Sequence, residues 1–132
     1  MKKDIKITKL NLNMTKAKCV NGGSWFCGIL WKCIEDGKYY IINEYLTILQ
    51  EIVIETAVHY TGYVDKNNVM IYDKDIIKIG NDEEQYVVIY YDDDHIDVIT
   101  LDEYKKGYEL VSFDLSAISD NCLVCGNLYD TL

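Results

Sequence analysis

Proline and arginine are both absent from the 132-residue chain. Without proline or a glycine repeat it is no collagen. The 13 basic side chains are all lysine, and a base-stacking groove for single-stranded nucleic acid then lacks its electrostatic half. Apolar runs are short, none approaching the roughly 18 residues of a membrane span, so no membrane partner is expected. Catalytic signatures are missing too: there is no G-x-S-x-G, P-loop, G-x-G-x-x-G or H-E-x-x-H. Gly22-Gly23 precedes a strand rather than a helix and makes a poor phosphate cradle. His59, beside Tyr60, reads as a satisfied or exposed histidine, with no positioned nucleophile and oxyanion site around it. No catalytic residue and no cofactor is expected, and the chain reads as a non-enzyme.

What is present describes an acidic, strand-rich globular chain. Apolar residues make up 49% and charged ones 27%, ordinary globular usage that excludes a disordered chain or a coiled coil. The length suits one domain or two small subdomains, with a core that needs no staples. The richness in Lys, Ile, Asn and Tyr fits the codon bias of an AT-rich genome. Net charge is −9, which disfavours nucleic acid, since phosphate binding needs clustered cations. The charge is uneven. Residues 1–18 hold six lysines against Asp4, a net +5, and the other 114 residues hold −14. That pattern reads as a basic arm on an acidic body, either solvated or docked on a neighbouring subunit. Five cysteines and a start (MKKDIKITKL) without the apolar core of a signal peptide point to the cytoplasm and free thiols.

Period-2 alternation dominates. Residues 24–34 place Trp25, Cys27, Ile29, Trp31 and Cys33 on one strand face, with Phe26, Gly28, Leu30, Lys32 and Ile34 on the other, which is partly covered too. Glu35-Asp36-Gly37-Lys38 is a hairpin turn into a strand over 39–43. Residues 44–59 read as a loop or short helix and then strand, with Ile52-Val53-Ile54 equally compatible with strand. Turns at 65–68, 81–84 and 92–94 separate strands at 75–79, 85–91 and 96–101. One helical turn is expected in DEYKKG and a closing strand over 121–129. Short strands at regular spacing argue a small barrel or sandwich in the C-terminal half.

Three segments resemble one family in order. TGYVDKNNVMIYDKDIIKI (61–79) resembles the signature TGLKDKNGKEIYEGDIV of the YopX family of phage and prophage proteins. GSWFCGIL (23–30) is similar to its G-x-W-V-x-G-x-L strand, and CGNLYD (125–130) to its closing I-G-N-I-Y-E strand. The motif residues include Trp25, Gly62, Asp65, Asn67, Tyr72, Asp75, Gly126, Asn127 and Tyr129. Two signature glycines are replaced by Asn68 and Lys74. Asparagine tolerates the left-handed region; lysine tolerates it poorly, so the second turn is expected to change shape. The resemblance implies an α+β, mainly β fold: an N-terminal α+β subdomain (1–58) and a C-terminal SH3-like β-barrel (59–132) in one YopX-like domain. It implies a phage or prophage origin and no activity. The motif itself reads as structural, with Asn67-Asn68 closing a turn and Asp75 accepting backbone N–H bonds before a strand.

Among candidate sites, Cys122-x-x-Cys125 has a zinc-knuckle spacing, but a strand sends its thiols to opposite faces. Cys27 and Cys33 lie about 20 Å apart along a strand. No metal is expected there; these are small buried apolar residues. Asp92, Asp93, Asp94 and Asp97, with His95, gather oxygen ligands for a cation, yet acidic triplets at hairpin tips are ordinarily solvated. With Asp102 and Glu103 they form the most negative stretch, six acids and no lysine. It serves solubility or imitates a phosphate backbone. Twelve tyrosines exceed what a core holds, and exposed ones suit protein contacts. The expected partners are copies of the same chain, then a basic host protein, with nucleic acid a distant third.

Overall fold

The computed structural model describes residues 14–108 and 110–131. The chain divides into two compact units, one up to Tyr60 and one from Thr61. Both are built mainly from antiparallel strands.

The first unit holds strands β1 (Met14–Lys18), β2 (Trp25–Lys32), β3 (Tyr39–Ile42) and β4 (Leu49–Glu51), with the start of β5 (Val58–Val64). They lie in the order β4-β3-β2-β1-β5. The β2–β3 hairpin turns at Gly37, whose φ of 73° is left-handed, and Asp36 Oδ1 accepts the Lys38 N–H at 2.8 Å. Gly28 is required where it stands: a Cβ there would meet the Ile42 carbonyl oxygen at 2.0 Å. Between β3 and β5 the chain makes a turn closed by Asn43, the short β4 and a 3-10 turn at Ile54–Thr56. Ile54 thus leaves the extended state that Ile52-Val53-Ile54 suggests.

Two findings depart from the sequence reading. The lysine-rich start becomes a strand from Met14 on, with Lys18 only 8% exposed. The rest of the proposed basic arm, residues 1–13, lies outside the described residues. On β2 the alternation is as expected, but the deeper core is on the other face. Phe26 and Leu30 pack with Tyr39, Ile54 and Ala57 against the buried Ala17, Ile41 and Ile52. The Trp25–Cys27–Ile29–Trp31 face is half open.

The second unit continues β5 and adds β6 (Met70–Tyr72), β7 (Asp75–Ile79), β8 (Tyr86–Asp92), β9 (His95–Thr100), β10 (Phe113–Asp114) and β11 (Cys122–Asn127). Helical turns stand at Leu101–Lys105, Leu115–Ile118 and Ser119–Asn121. β6 follows β5 in the first sheet, and the others form a second sheet ordered β10-β9-β8-β7-β11. Among the described residues β10 and β11 remain its two edges, so this sheet is not closed into a barrel. β8 and β9 are buried on both faces. Tyr86, Val88, Ile96 and Val98 join Ile71, Ile77, Leu115, Ile118 and Cys122 in the main core. Val87, Ile89 and Ile99 pack under Leu101, Tyr104 and Leu128. Among the described residues no helix is long and apolar enough to cross a membrane.

Candidate functional site

The signature residues of the second unit form two hydrogen-bond clusters, one at Asp65 and one at Asp75 and Asn127, and each reaches β11. Asp65 is 3% exposed. Its Oδ1 accepts the N–H groups of Asn67 (2.8 Å) and Val69 (2.9 Å), and Oδ2 accepts that of Val124 (3.0 Å) in β11. Burial pushes its pKa up, but the three N–H donors, with Lys66 nearby, outweigh that and hold it below the usual carboxylate value. Asp75 Oδ2 accepts the Tyr72 N–H at 2.8 Å, and Oδ1 accepts from Asn127 Nδ2 at 2.9 Å. Asn127 Nδ2 also reaches the Asp73 carbonyl (3.1 Å), while Asn127 Oδ1 accepts the Tyr129 N–H (2.9 Å). Asn127 N–H in turn donates to Asp130. The β6–β7 turn is thereby fastened to β11. Gly62 lies in β5 and Gly126 in β11, and Trp25 is in the first unit, with Lys16 Nζ 4.6 Å from its ring centroid.

Both replaced glycines keep the glycine conformation. Asn68 has φ 64° and Lys74 φ 68°, so the second turn does not change shape as expected. Lys74 bears the strain; its N–H donates to the Val88 carbonyl (2.7 Å) and its carbonyl accepts from Leu128. Its Nζ contacts both oxygens of Asp73 at 3.1 and 3.2 Å.

The acidic stretch is not one patch in space. Asp92, Asp93 and Asp94 occupy the β8–β9 hairpin tip, whereas Asp102 and Glu103 begin the helical turn at the other end of β9, about 17 Å away along the strand. Asp97, 7% exposed, faces inward and takes a contact from His95 Nε2 at 3.1 Å. Asp102 pairs with Lys106 at 3.1 Å. Asp93 accepts the Tyr90 hydroxyl at 2.5 Å; burial first, then this bond and the charges of Asp93, Asp92 and Asp73, push the Tyr90 pKa up to about 12. A residue remote in sequence joins the tip. Asp114, held below its ordinary pKa by Ser116, lines with Asp93, Asp94, Tyr63 and Ser116 a cleft of about 150 Å³.

Of the five cysteines, Cys19 and Cys122 are buried and Cys27 and Cys125 exposed. Cys125 sits at a bulge, where the register with β7 shifts between Val124 and Gly126. Burial, with Asp65 and Asp120 nearby, pushes the Cys122 thiol up to about 11. Tyrosines divide likewise: Tyr86 is in the core, while Tyr91 and Tyr108 are 50% and 56% exposed. The last two, with Tyr104, Lys74, Ile89 and Ile99, line a second cleft of about 250 Å³ that sequence reasoning missed. These residues come from separate strands and turns, so no local pattern in the sequence marks it. The surface as a whole offers aromatic contact area and negative charge.

The family model described as YopX protein matches residues 27–131. No curated protein and no solved structure matches the chain.

Proposed function

The chain belongs to the YopX family, and from that premise we propose that it is a non-enzymatic protein acting through contacts with other proteins, including copies of itself. The observation that carries the reading is a group of large apolar side chains left partly in water on one sheet face. Trp31, 40% exposed, stacks on Tyr40, and Leu49, 47% exposed, lies on the same face of the neighbouring strand. Such side chains mark contact surfaces when they gather. The hydrogen-bonded state of the motif carboxylates supports it further, since Asp65 and Asp75 are engaged in holding the fold. We place the protein in the cytoplasm of a phage or prophage host. The five-strand order of the second unit suits the SH3-like arrangement that the resemblance implies, with closure left to the edges. Native mass spectrometry of the full chain tests the function. Masses at multiples of 15.3 kDa are the expected result; a bare monomer, or an added mass matching a small molecule, would overturn it.

A second reading is favoured by the charge distribution. The chain from Thr61 holds sixteen acids and five lysines, a net −11, against +2 before it. An acidic protein of this kind can occupy the phosphate-binding surface of a basic host protein, such as a nucleic-acid enzyme or defence complex. Salt-sensitive capture of such a protein, weakened by Asp92→Asn, Asp93→Asn and Asp94→Asn together, is its signature. Capture that ignores both would discard it. Direct nucleic-acid binding as an accessory protein has only the lysine-rich start in its favour, and an unshifted duplex at low salt would remove it.

A further inference from the structure

The tyrosine cleft lies over the middle of the second sheet. The buried Ile89 of β8 and Ile99 of β9 line its bottom, and Tyr91, Tyr104, Tyr108 and Lys74 line the rest. Its walls are fixed. The Lys74 N–H donates to the Val88 carbonyl and its carbonyl accepts from Leu128, which holds the residue in the left-handed region that glycine would occupy without strain. Strain of that kind recurs at ligand clamps. The Gly107 N–H bonds back to the Tyr104 carbonyl and the Tyr108 N–H to that of Glu103. Tyr91 stacks on His95 with ring centroids 4.7 Å apart.

The chemistry of the lining narrows what can enter. Lys74, the charged side chain of the lining, is paired with Asp73, so the cleft is a poor receptor for a phosphate or carboxylate. An extended peptide joins a sheet at an edge, and β8 and β9 are inner strands of theirs. An amphipathic helix brings four anchors along one face, and a cleft of about 250 Å³ is small for that set. A polyproline II segment matches. Its compact pyrrolidine rings pack on tyrosine faces. Its carbonyls, free of internal hydrogen bonds, accept from tyrosine hydroxyls and the Lys74 ammonium group, and proline brings no N–H to bury unpaired. The half-exposed Tyr91 and Tyr108 suit a chain passing across the cleft better than a small molecule enclosed by it. The sequence contains no proline, so a second copy cannot supply the segment.

We infer that the cleft between Lys74 and the three tyrosines receives a proline-rich segment of another protein, bound as a polyproline II helix. The inference rests on the protein-contact reading above and adds a partner chemistry that self-association does not provide.

Titration of the isotope-labelled full chain with decaproline, followed by NMR, tests it. The amide signals of Ile89, Ile99 and Gly107 are expected to shift saturably, and a glycine–serine peptide of equal length should leave them in place. Tyr91→Ala and Tyr108→Ala, both at half-exposed positions, should each weaken binding about tenfold. Lys74→Gly permits the same backbone conformation, removes the ammonium donor and should weaken binding about threefold. A loss of affinity in that variant without a fall in its unfolding midpoint separates the contact from the fold. If the spectrum of one tyrosine variant is that of an unfolded chain, the other and Lys74→Gly carry the test. Decaproline that leaves the cleft signals in place, or that binds the folded variants as tightly as wild type, would overturn the inference, while native mass spectrometry still decides self-association. Shifts caused by p-cresol but not by decaproline would also overturn it and make the cleft a site for a single small ring.

Discussion

Asp65 shows how one carboxylate can define a turn and a strand at once. Its folded pKa is depressed, so its contribution to stability is present above about pH 4 and is lost as pH falls through the folded value. Asp65→Asn should remove part of this acid dependence and destabilise by about 1–3 kcal/mol, since amide oxygen and nitrogen cannot both accept; urea titrations at pH 3 and pH 7 would measure it. Tyr90 works in the opposite sense. Its raised pKa means the stabilisation is complete below pH 10 and disappears as pH climbs toward about 12. Lys74 sits in a backbone region that costs a non-glycine residue about 1 kcal/mol. Lys74→Gly is therefore expected to raise the midpoint of chemical unfolding, and an unchanged or lowered midpoint would mean that the contact with Asp73 compensates the strain. Thiol labelling gives another readout: Cys27 and Cys125 should react at once, Cys19 and Cys122 only after unfolding.

At the scale of elements, legibility in the sequence followed the strength of alternation and turn chemistry. The Asp36-Gly37 hairpin, the 75–79 strand and the helical turn after Thr100 were all readable, because each depends on neighbours along the chain. β1 was not, since lysines at 16 and 18 read as charge, whereas in the sheet their ammonium groups lie over the Trp25 ring. The covered face of β2 was likewise ambiguous, both faces being partly apolar; Ala17 and Ile41 on adjacent strands decide it. The acidic stretch failed for a geometric reason, because six residues of β9 separate its ends. Asp114 and the tyrosine cleft assemble residues far apart in sequence, which no local pattern encodes. Gly28 has a testable reason to be glycine: Gly28→Ala would drive a Cβ into the β3 backbone and should cost about 2–4 kcal/mol. Equilibrium unfolding of that variant is the check.

For the molecule as a whole, charge segregates with architecture. The unit from Thr61 holds a net −11 and the unit before it +2. Mutual repulsion among so many carboxylates weakens as ionic strength rises. Added salt should therefore raise the stability of the second unit, measured as a shift of its thermal midpoint; a midpoint indifferent to salt would mean that hydrogen bonds such as those at Asp65 and Asp82 already absorb the charge.

The span of those bonds has a consequence for synthesis. Asp65 receives Val124 from 59 positions later, and Asp75 receives Asn127 from 52 later. Until β11 emerges from the ribosome, these carboxylates lack partners that the buried state demands, and closing so long a loop is entropically slow. The nascent second unit should then stay open, recognisable to chaperones and proteases, while the first unit's local hairpins can already form.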